Sequence, residues 1–220
     1  MSNSIVKLID KTNFKFNINH LKPFFKNLKL DSNDKALYNL EPFRARKIIF
    51  IKCKSGKFSI DKNKKCFSQD VEDKRKYKRK FSILVPNQKE LLIVCTFLQS
   101  FLDLIDKEQP IANRSMDIAV HFVKILSSKK GQTNSPEGVH RDGFDVLMPC
   151  FVVERKNIRG GISRFFQKNK CIFKKKVEKG QGLFIFENTH RNVYHDVSPI
   201  YSLNGNSGYR CIIGVDINFK

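Results

Sequence analysis

The residues best suited to chemistry stand together in Ser135-Pro-Glu-Gly-Val-His-Arg-Asp-Gly143. His140 and Asp142 are two positions apart, and on an extended strand that spacing sends both side chains to one face. A second imidazole, His195, follows much later in Tyr-His-Asp-Val-Ser-Pro. Two histidines and one carboxylate are the donor set of a non-haem iron(II) site, which leaves further coordination positions open for reactants. The H-x-D pair alone is weak, because such pairs recur by chance and a histidine in a strand is more often a bonded core residue. Arg210 strengthens it. Its guanidinium is always charged and presents a planar fork, and on one strand face with Ile212 and Gly214 it needs an anion, for which the far end of a dicarboxylate is suited. His190 is a rival to His195 as the distal ligand, with the His-Asp-Val-Ser-Pro context favouring His195. His121, on a strand face with Ala119 and Val123, either lines the same pocket or is a buried histidine bonded to backbone.

The elements that must position these groups are legible in outline. Leu21, Phe24, Phe25 and Leu28 have helical spacing, with Pro23 tolerated near a helix start. From Phe43 to Ile60 a β-branched and aromatic run broken at Ser55-Gly56 predicts two strands joined by a tight turn. Asn87, followed three residues later by Glu90, predicts a capped helix running to about Asp106, whose apolar residues would pack against a sheet. Beyond Pro110 short apolar or alternating runs predict strands at Met116–Leu126, Asp145–Val153, Gly161–Phe166, Leu183–Glu187 and Arg210–Phe219. Helical pieces first and many short strands later predict an α+β chain whose core is a β-sandwich or barrel.

Length and composition set the frame. The 220 residues suit one domain of 1–220, with N-terminal helices and supporting strands over 1–115 and the catalytic core over 116–220. The hydrophobic fraction of 40% excludes a disordered chain. A formal charge of +21 favours acidic partners, but the excess is spread over both halves of the chain, with no basic tail. The run Lys74 to Lys80, with Tyr77 interleaved, reads as a solvated basic surface in preference to a nucleic-acid patch. Six dispersed cysteines with no C-x-x-C pair exclude a zinc knuckle and suit a reducing compartment. The absence of a signal-like N-terminus and of a long apolar run predicts a soluble, cytoplasmic protein without a membrane association.

Several stretches together resemble the 2-oxoglutarate/iron(II) dioxygenases, in particular the bacterial free-amino-acid hydroxylases of L-isoleucine dioxygenase type. They are Val120-His-Phe, Pro136-Glu-Gly-Val-His-Arg-Asp-Gly, Arg155-Lys-Asn-Ile-Arg-Gly-Gly-Ile-Ser163, Gly180-Gln-Gly-Leu-Phe-Ile-Phe-Glu, His195-Asp-Val-Ser-Pro-Ile and Tyr209-Arg. A fainter likeness covers Arg44-Ala-Arg and the stretch from Gln69 to Phe81. The resemblance implies a double-stranded β-helix, or jelly roll, with supporting N-terminal helices. It also implies iron(II) held by His140, Asp142 and His195, 2-oxoglutarate anchored at Arg210, and dioxygen as oxidant. Hydroxylation of an aliphatic C–H bond, with release of succinate and CO2, would follow on a small-molecule substrate, a free amino acid in the first instance. Arg141 and Arg155 match family positions and, with His121, are candidates for substrate contacts. The resemblance departs at Lys124 and Cys211, where the family tends to place an arginine and an acid. Two other readings remain: an oxygenase acting on a nucleic acid or protein, and a non-catalytic basic jelly-roll binding protein.

Overall fold

The computed structural model describes residues 4–69, 78–111, 114–127, 129, 131–190, 192–205 and 207–220. Its strands, in chain order, are β1 (Lys7–Ile9), β2 (Arg44–Lys54), β3 (Lys57–Ile60), β4 (Ser82–Ile83), β5 (Met116–Leu126), β6 (Val146–Lys156) and β7 (Ile158–Gly160). They continue with β8 (Ile162–Gln167), β9 (Lys170–Lys176), β10 (Gly182–Phe186), β11 (Val193–Val197), β12 (Ile200–Ser202) and β13 (Tyr209–Phe219). The expected Phe43–Ile60 hairpin is present as β2 and β3. Its turn uses Ser55 and Gly56 at φ 49° and 72°, the left-handed pair that a two-residue hairpin turn requires. The five strands expected beyond Pro110 are β5, β6, β8, β10 and β13.

Most strands form one large sheet in the order β1-β10-β6-β13-β5-β2-β3, with β4 paired to β2. A small sheet, β11-β8-β9, and the pair β12-β7 face it. Among the described residues every pairing is antiparallel except β2 with β4. Two facing antiparallel sheets make this the jelly roll of an α+β chain, and the site lies between them. Strands from the first third of the chain belong to the large sheet, since β1 pairs with β10 and β2 with β5.

The outer face of the large sheet is closed by α2 (Gln88–Glu108), the expected helix, which follows the short α1 (Asn33–Tyr38) in the chain. The Asn87 side chain accepts the Glu90 N–H at 2.9 Å while the Glu90 carboxylate accepts the Asn87 N–H at 2.9 Å, a reciprocal cap. Val94, Phe97, Leu98, Phe101 and Ile105 are buried from α2 in one cluster with Ile118, Val120 and Phe122 of β5. The Leu21/Phe24/Phe25 pattern forms a 3-10 helix, Ile18–Phe25, and Leu28 lies beyond it. A three-residue period puts Leu21 and Phe24 on one edge, and Phe24 stacks on Phe122 with ring centroids 4.9 Å apart. No helix among the described residues is long and apolar enough to cross a membrane.

Candidate metal centre

Two distant segments meet at a single antiparallel bridge between His140 and His195. The His140 N–H donates to the His195 carbonyl at 2.9 Å, and the reverse bond is 2.7 Å. The pairing sets the imidazoles side by side, with centroids 4.4 Å apart. His195 is fixed further through β11, which pairs it with Phe165 of β8. Asp142 reaches the same space by a route other than the strand alternation expected from H-x-D, because residues 141–144 form a loop after the bridge. What shapes that loop is Glu187, fully buried just after β10. Its carboxylate accepts the backbone N–H groups of Asp142 (2.9 Å), Gly143 (2.6 Å) and Phe144 (2.9 Å). Gly143 takes the positive φ of 77° that the turn needs.

The Asp142 carboxylate then stands 3.7 Å from His140 Nε2 and 3.2 Å from His195 Nε2. One donor atom from each of the three residues lies within 4.8 Å of the others. Nitrogen and oxygen ligands sit about 2.0–2.2 Å from a transition metal, so donors at right angles are roughly 3 Å apart, and this set fits such an ion. The tautomer fits as well. His140 Nδ1 is 2.8 Å from the Gly138 carbonyl, which only accepts, so Nδ1 carries the proton and Nε2 offers a lone pair toward Asp142. Glu137 lies 3.1 Å from the same Nδ1. On the other side, Gln69 Nε2 donates to Asp142 Oδ1 at 2.5 Å, and Arg79 Nη2 donates to Gln69 Oε1. The Arg79 bond fixes which end of the amide faces the carboxylate.

The three donors open onto a pocket whose floor is the inner face of the large sheet. β13 contributes Arg210, Ile212, Gly214 and Asp216, the alternate residues of one face. Arg210 is 1% exposed, its Nη2 donates to Cys150 Sγ at 3.6 Å, and its Nε has no hydrogen-bond partner among the described residues. A buried fork with an unmet donor fits an anion. His121 lines the pocket too. Its Nε2 is 3.0 Å from Asp216 Oδ2, and the ring lies edge-on to Phe67 at 4.6 Å between centroids. Burial lowers the pKa of His121 and raises that of Asp216, each shift opposed by the other partner. The bonded-histidine and pocket-lining readings of His121 therefore hold together, with a carboxylate in place of backbone.

Arg155 and Arg141 are not among the pocket-lining residues. Arg155 lies behind Arg210, donates to the Gly160 carbonyl at 2.7 Å and pairs with Glu178 at 3.6 Å, so it braces the β6–β8 connection. Asn157 in that connection has φ 51°, the turn role that an asparagine fills readily. His190 is half-buried in the loop after β10, its N–H bonded to the Phe186 carbonyl, and it is not part of the donor cluster. Of the basic run Lys74–Lys80, residues 74–77 lie outside the described residues. Within the rest, Lys78 and Lys80 are exposed but Arg79 is buried in the pocket.

Sequence reasoning gave no role to Gln69, Arg79, Arg44, Arg46 or Glu187. The first four fall in the stretches of fainter resemblance, which was the available signal. Glu187 closes the matched stretch from Gly180, but that likeness carried no task for it, since its partners are backbone groups far away in the chain.

With this geometry established, comparison with known proteins places the chain. The profile of a family described as 2OG-Fe dioxygenase matches residues 22–216. No curated protein matches the sequence significantly. Among solved structures, IDO from Bacillus thuringiensis superposes with a TM-score of 0.68 at 14% identity, over 99% of this chain and 91% of that one. A bsmA homologue from Methylobium petroleophilum PM1 gives 0.73 at 17% identity, over 91% and 79%. The Fe(II)/α-ketoglutarate-dependent dioxygenase TqaL gives 0.63 at 12% identity, over 98% and 82%. At these identities the three likenesses bear on the fold, which they share with this chain.

Proposed function

Since the chain belongs to the 2OG-Fe dioxygenase family, an enzyme family working with iron(II), 2-oxoglutarate and dioxygen, we propose that it hydroxylates an aliphatic C–H bond of a free L-amino acid. The observation that carries the site assignment is the convergence of His140, Asp142 and His195, with one donor atom from each within 4.8 Å. In this reading those three side chains hold iron(II), and Arg210 receives the far carboxylate of 2-oxoglutarate. The bound metal and cosubstrate supply the oxidising chemistry, with 2-oxoglutarate leaving as succinate and CO2.

Each protein group has a physical task. The Nδ1–H bond from His140 to the Gly138 carbonyl fixes that ring's tautomer and aims its Nε2 at the metal position. Gln69 and the Glu187-held loop stop Asp142 from rotating away. Buried apolar residues, among them the cross-strand pair Val123 and Ile212, keep the floor dry, which strengthens every charge contact made there. The Arg210 fork, with no acid hydrogen-bonded to it among the described residues, fixes the cosubstrate's orientation before the prime substrate arrives. The likeness of the motifs around His140, Arg155, Gly180 and His195 to the free-amino-acid hydroxylases supports a free amino acid as that substrate.

The test is an anaerobic loading of the protein with iron(II) and 2-oxoglutarate, then exposure to oxygen with each standard L-amino acid while succinate is measured. At least one aliphatic amino acid should raise succinate formation well above the level without it, giving a hydroxylated product. Stimulation by an RNA or a protein in place of every amino acid would replace this reading with that of a macromolecular oxygenase.

A further inference from the structure

The pocket floor has a second cationic end that the 2-oxoglutarate anchor does not account for. On β2, Arg44 and Arg46 face the pocket. Across the sheet they pair with Ile125 and Val123 of β5, and these pair in turn with Arg210 and Ile212 of β13. Arg44 and Arg210 therefore stand on the same row, two strand spacings or about 10 Å apart at the backbone. An apolar column separates two arginine ends.

The chemistry of the β2 end is that of an anion site. Arg79, brought in through its backbone bridge to Phe67, places its guanidinium 5.6 Å from the Phe81 ring centroid, and Arg46 lies 4.7 Å from the same centroid. Arg44 is taken up by the fully buried Asp34, to which its Nε donates at 2.6 Å. Arg46 is less well matched. Asp31 stands 3.6 Å from its Nε, an ion pair without a hydrogen bond, and that Nε makes none among the described residues although the residue is 9% exposed. Burial, then repulsion from Arg44, lowers the Arg46 pKa to about 10, with Arg79 adding to the repulsion against Asp31. A further negative charge here would relieve the crowding of guanidinium groups. Arg79 is also linked through Gln69 to Asp142, so this end lies one side chain from the metal ligands.

We infer that Arg46 and Arg79 form the subsite for the carboxylate of the prime substrate, so that the enzyme requires an acid and rejects the corresponding amide. This rests on the amino-acid reading above and narrows it by naming the group that is recognised. Two carboxylates, one from each reactant, would occupy opposite ends of the floor with the substrate's aliphatic part over Val123 and Ile212. Neither reactant then competes for the other's anchor.

The experiment compares aliphatic L-amino acids with their C-terminal amides, and wild type with Arg79→Gln, Arg210→Met and the double variant Asp31→Asn/Arg46→Met, which removes both halves of the buried pair. Binding of iron(II) and 2-oxoglutarate is measured separately by anaerobic equilibrium dialysis. Losing a charge-assisted fork should raise the amino-acid KM by roughly 30-fold or more in Arg79→Gln and in the double variant, with a much smaller change for 2-oxoglutarate. Arg210→Met should show the opposite split, and the amides should be turned over poorly by wild type, a comparison that needs no variant to fold. Amides that work as well as acids would overturn the inference, as would Arg79→Gln acting mainly on 2-oxoglutarate. If iron and 2-oxoglutarate bind but no amino acid is turned over, the amino-acid reading fails by itself. Hexanoate and hexanamide then serve as probes in ligand-observed NMR. Hexanoate binding that is lost in Arg79→Gln supports the carboxylate subsite, and equal binding of the two probes overturns it.

Discussion

The two faces of the large sheet are made by the same strands and answer to different demands. Along β5, Met116, Ile118, Val120 and Phe122 face α2, while Ala119, His121, Val123 and Ile125 face the pocket side. Along β13 the outer set is Cys211, Ile213, Val215 and Ile217, and the inner set is Arg210, Ile212, Gly214 and Asp216. These outer residues are buried and apolar, with aromatic contacts such as Phe97 to Phe151 at 5.4 Å between centroids. The inner face holds buried nitrogens without a hydrogen-bond partner among the described residues, including Arg46 Nε, His121 Nδ1 and Arg210 Nε. Each such group costs about 1–3 kcal/mol of stability, which selection tolerates only where a ligand completes the bonding. One face holds the fold, and the other gives up stability to hold reactants.

The largest expected effect that could break this contrast is Phe97→Ala on the outer face. It removes a ring packed on Phe14, Phe16 and Phe151 and should cost about 3–5 kcal/mol in urea unfolding. The folded fraction should keep its KM values for both reactants. A smaller cost with altered KM would mean that the faces are not separable. Arg210→Met sharpens the contrast from the other side. Replacing a buried charge by an apolar chain of similar length should change stability by no more than about 1 kcal/mol, and in the stabilising direction, while 2-oxoglutarate binding is lost. A strongly destabilised Arg210→Met would show that this guanidinium supports the fold itself.

The same division decides what was legible in the sequence. The outer face was open to reading because alternation and helical spacing are local. β5 has the bounds expected from its pattern, and the α2 cap follows from Asn87 and Glu90 alone. β9 was missed because Lys170, Lys174 and Lys176 make a lysine-rich edge strand with little apolar alternation. β11 was missed because its five residues include the exposed Tyr194, the site residue His195 and Asp196, whose carboxylate accepts from Arg164. At the site, residue types pointed to His140, Asp142, His195 and Arg210. The way Asp142 reaches the others depends on Glu187 holding three backbone N–H groups, a contact formed only in the fold. Arg79 was hidden for a similar reason. In a run of basic residues one buried arginine looks like its exposed neighbours, and only the bridge from Phe67 to Arg79 turns it inward.

The most direct measurement of the central claim is an anaerobic iron(II) titration of wild type, His140→Ala, Asp142→Ala and His195→Ala, with far-UV circular dichroism confirming that each is folded. The convergent site predicts one equivalent of tightly bound iron in the wild type, with affinity lowered by roughly 100-fold or more in each variant. A folded Asp142→Ala protein that binds iron as tightly as wild type would contradict it.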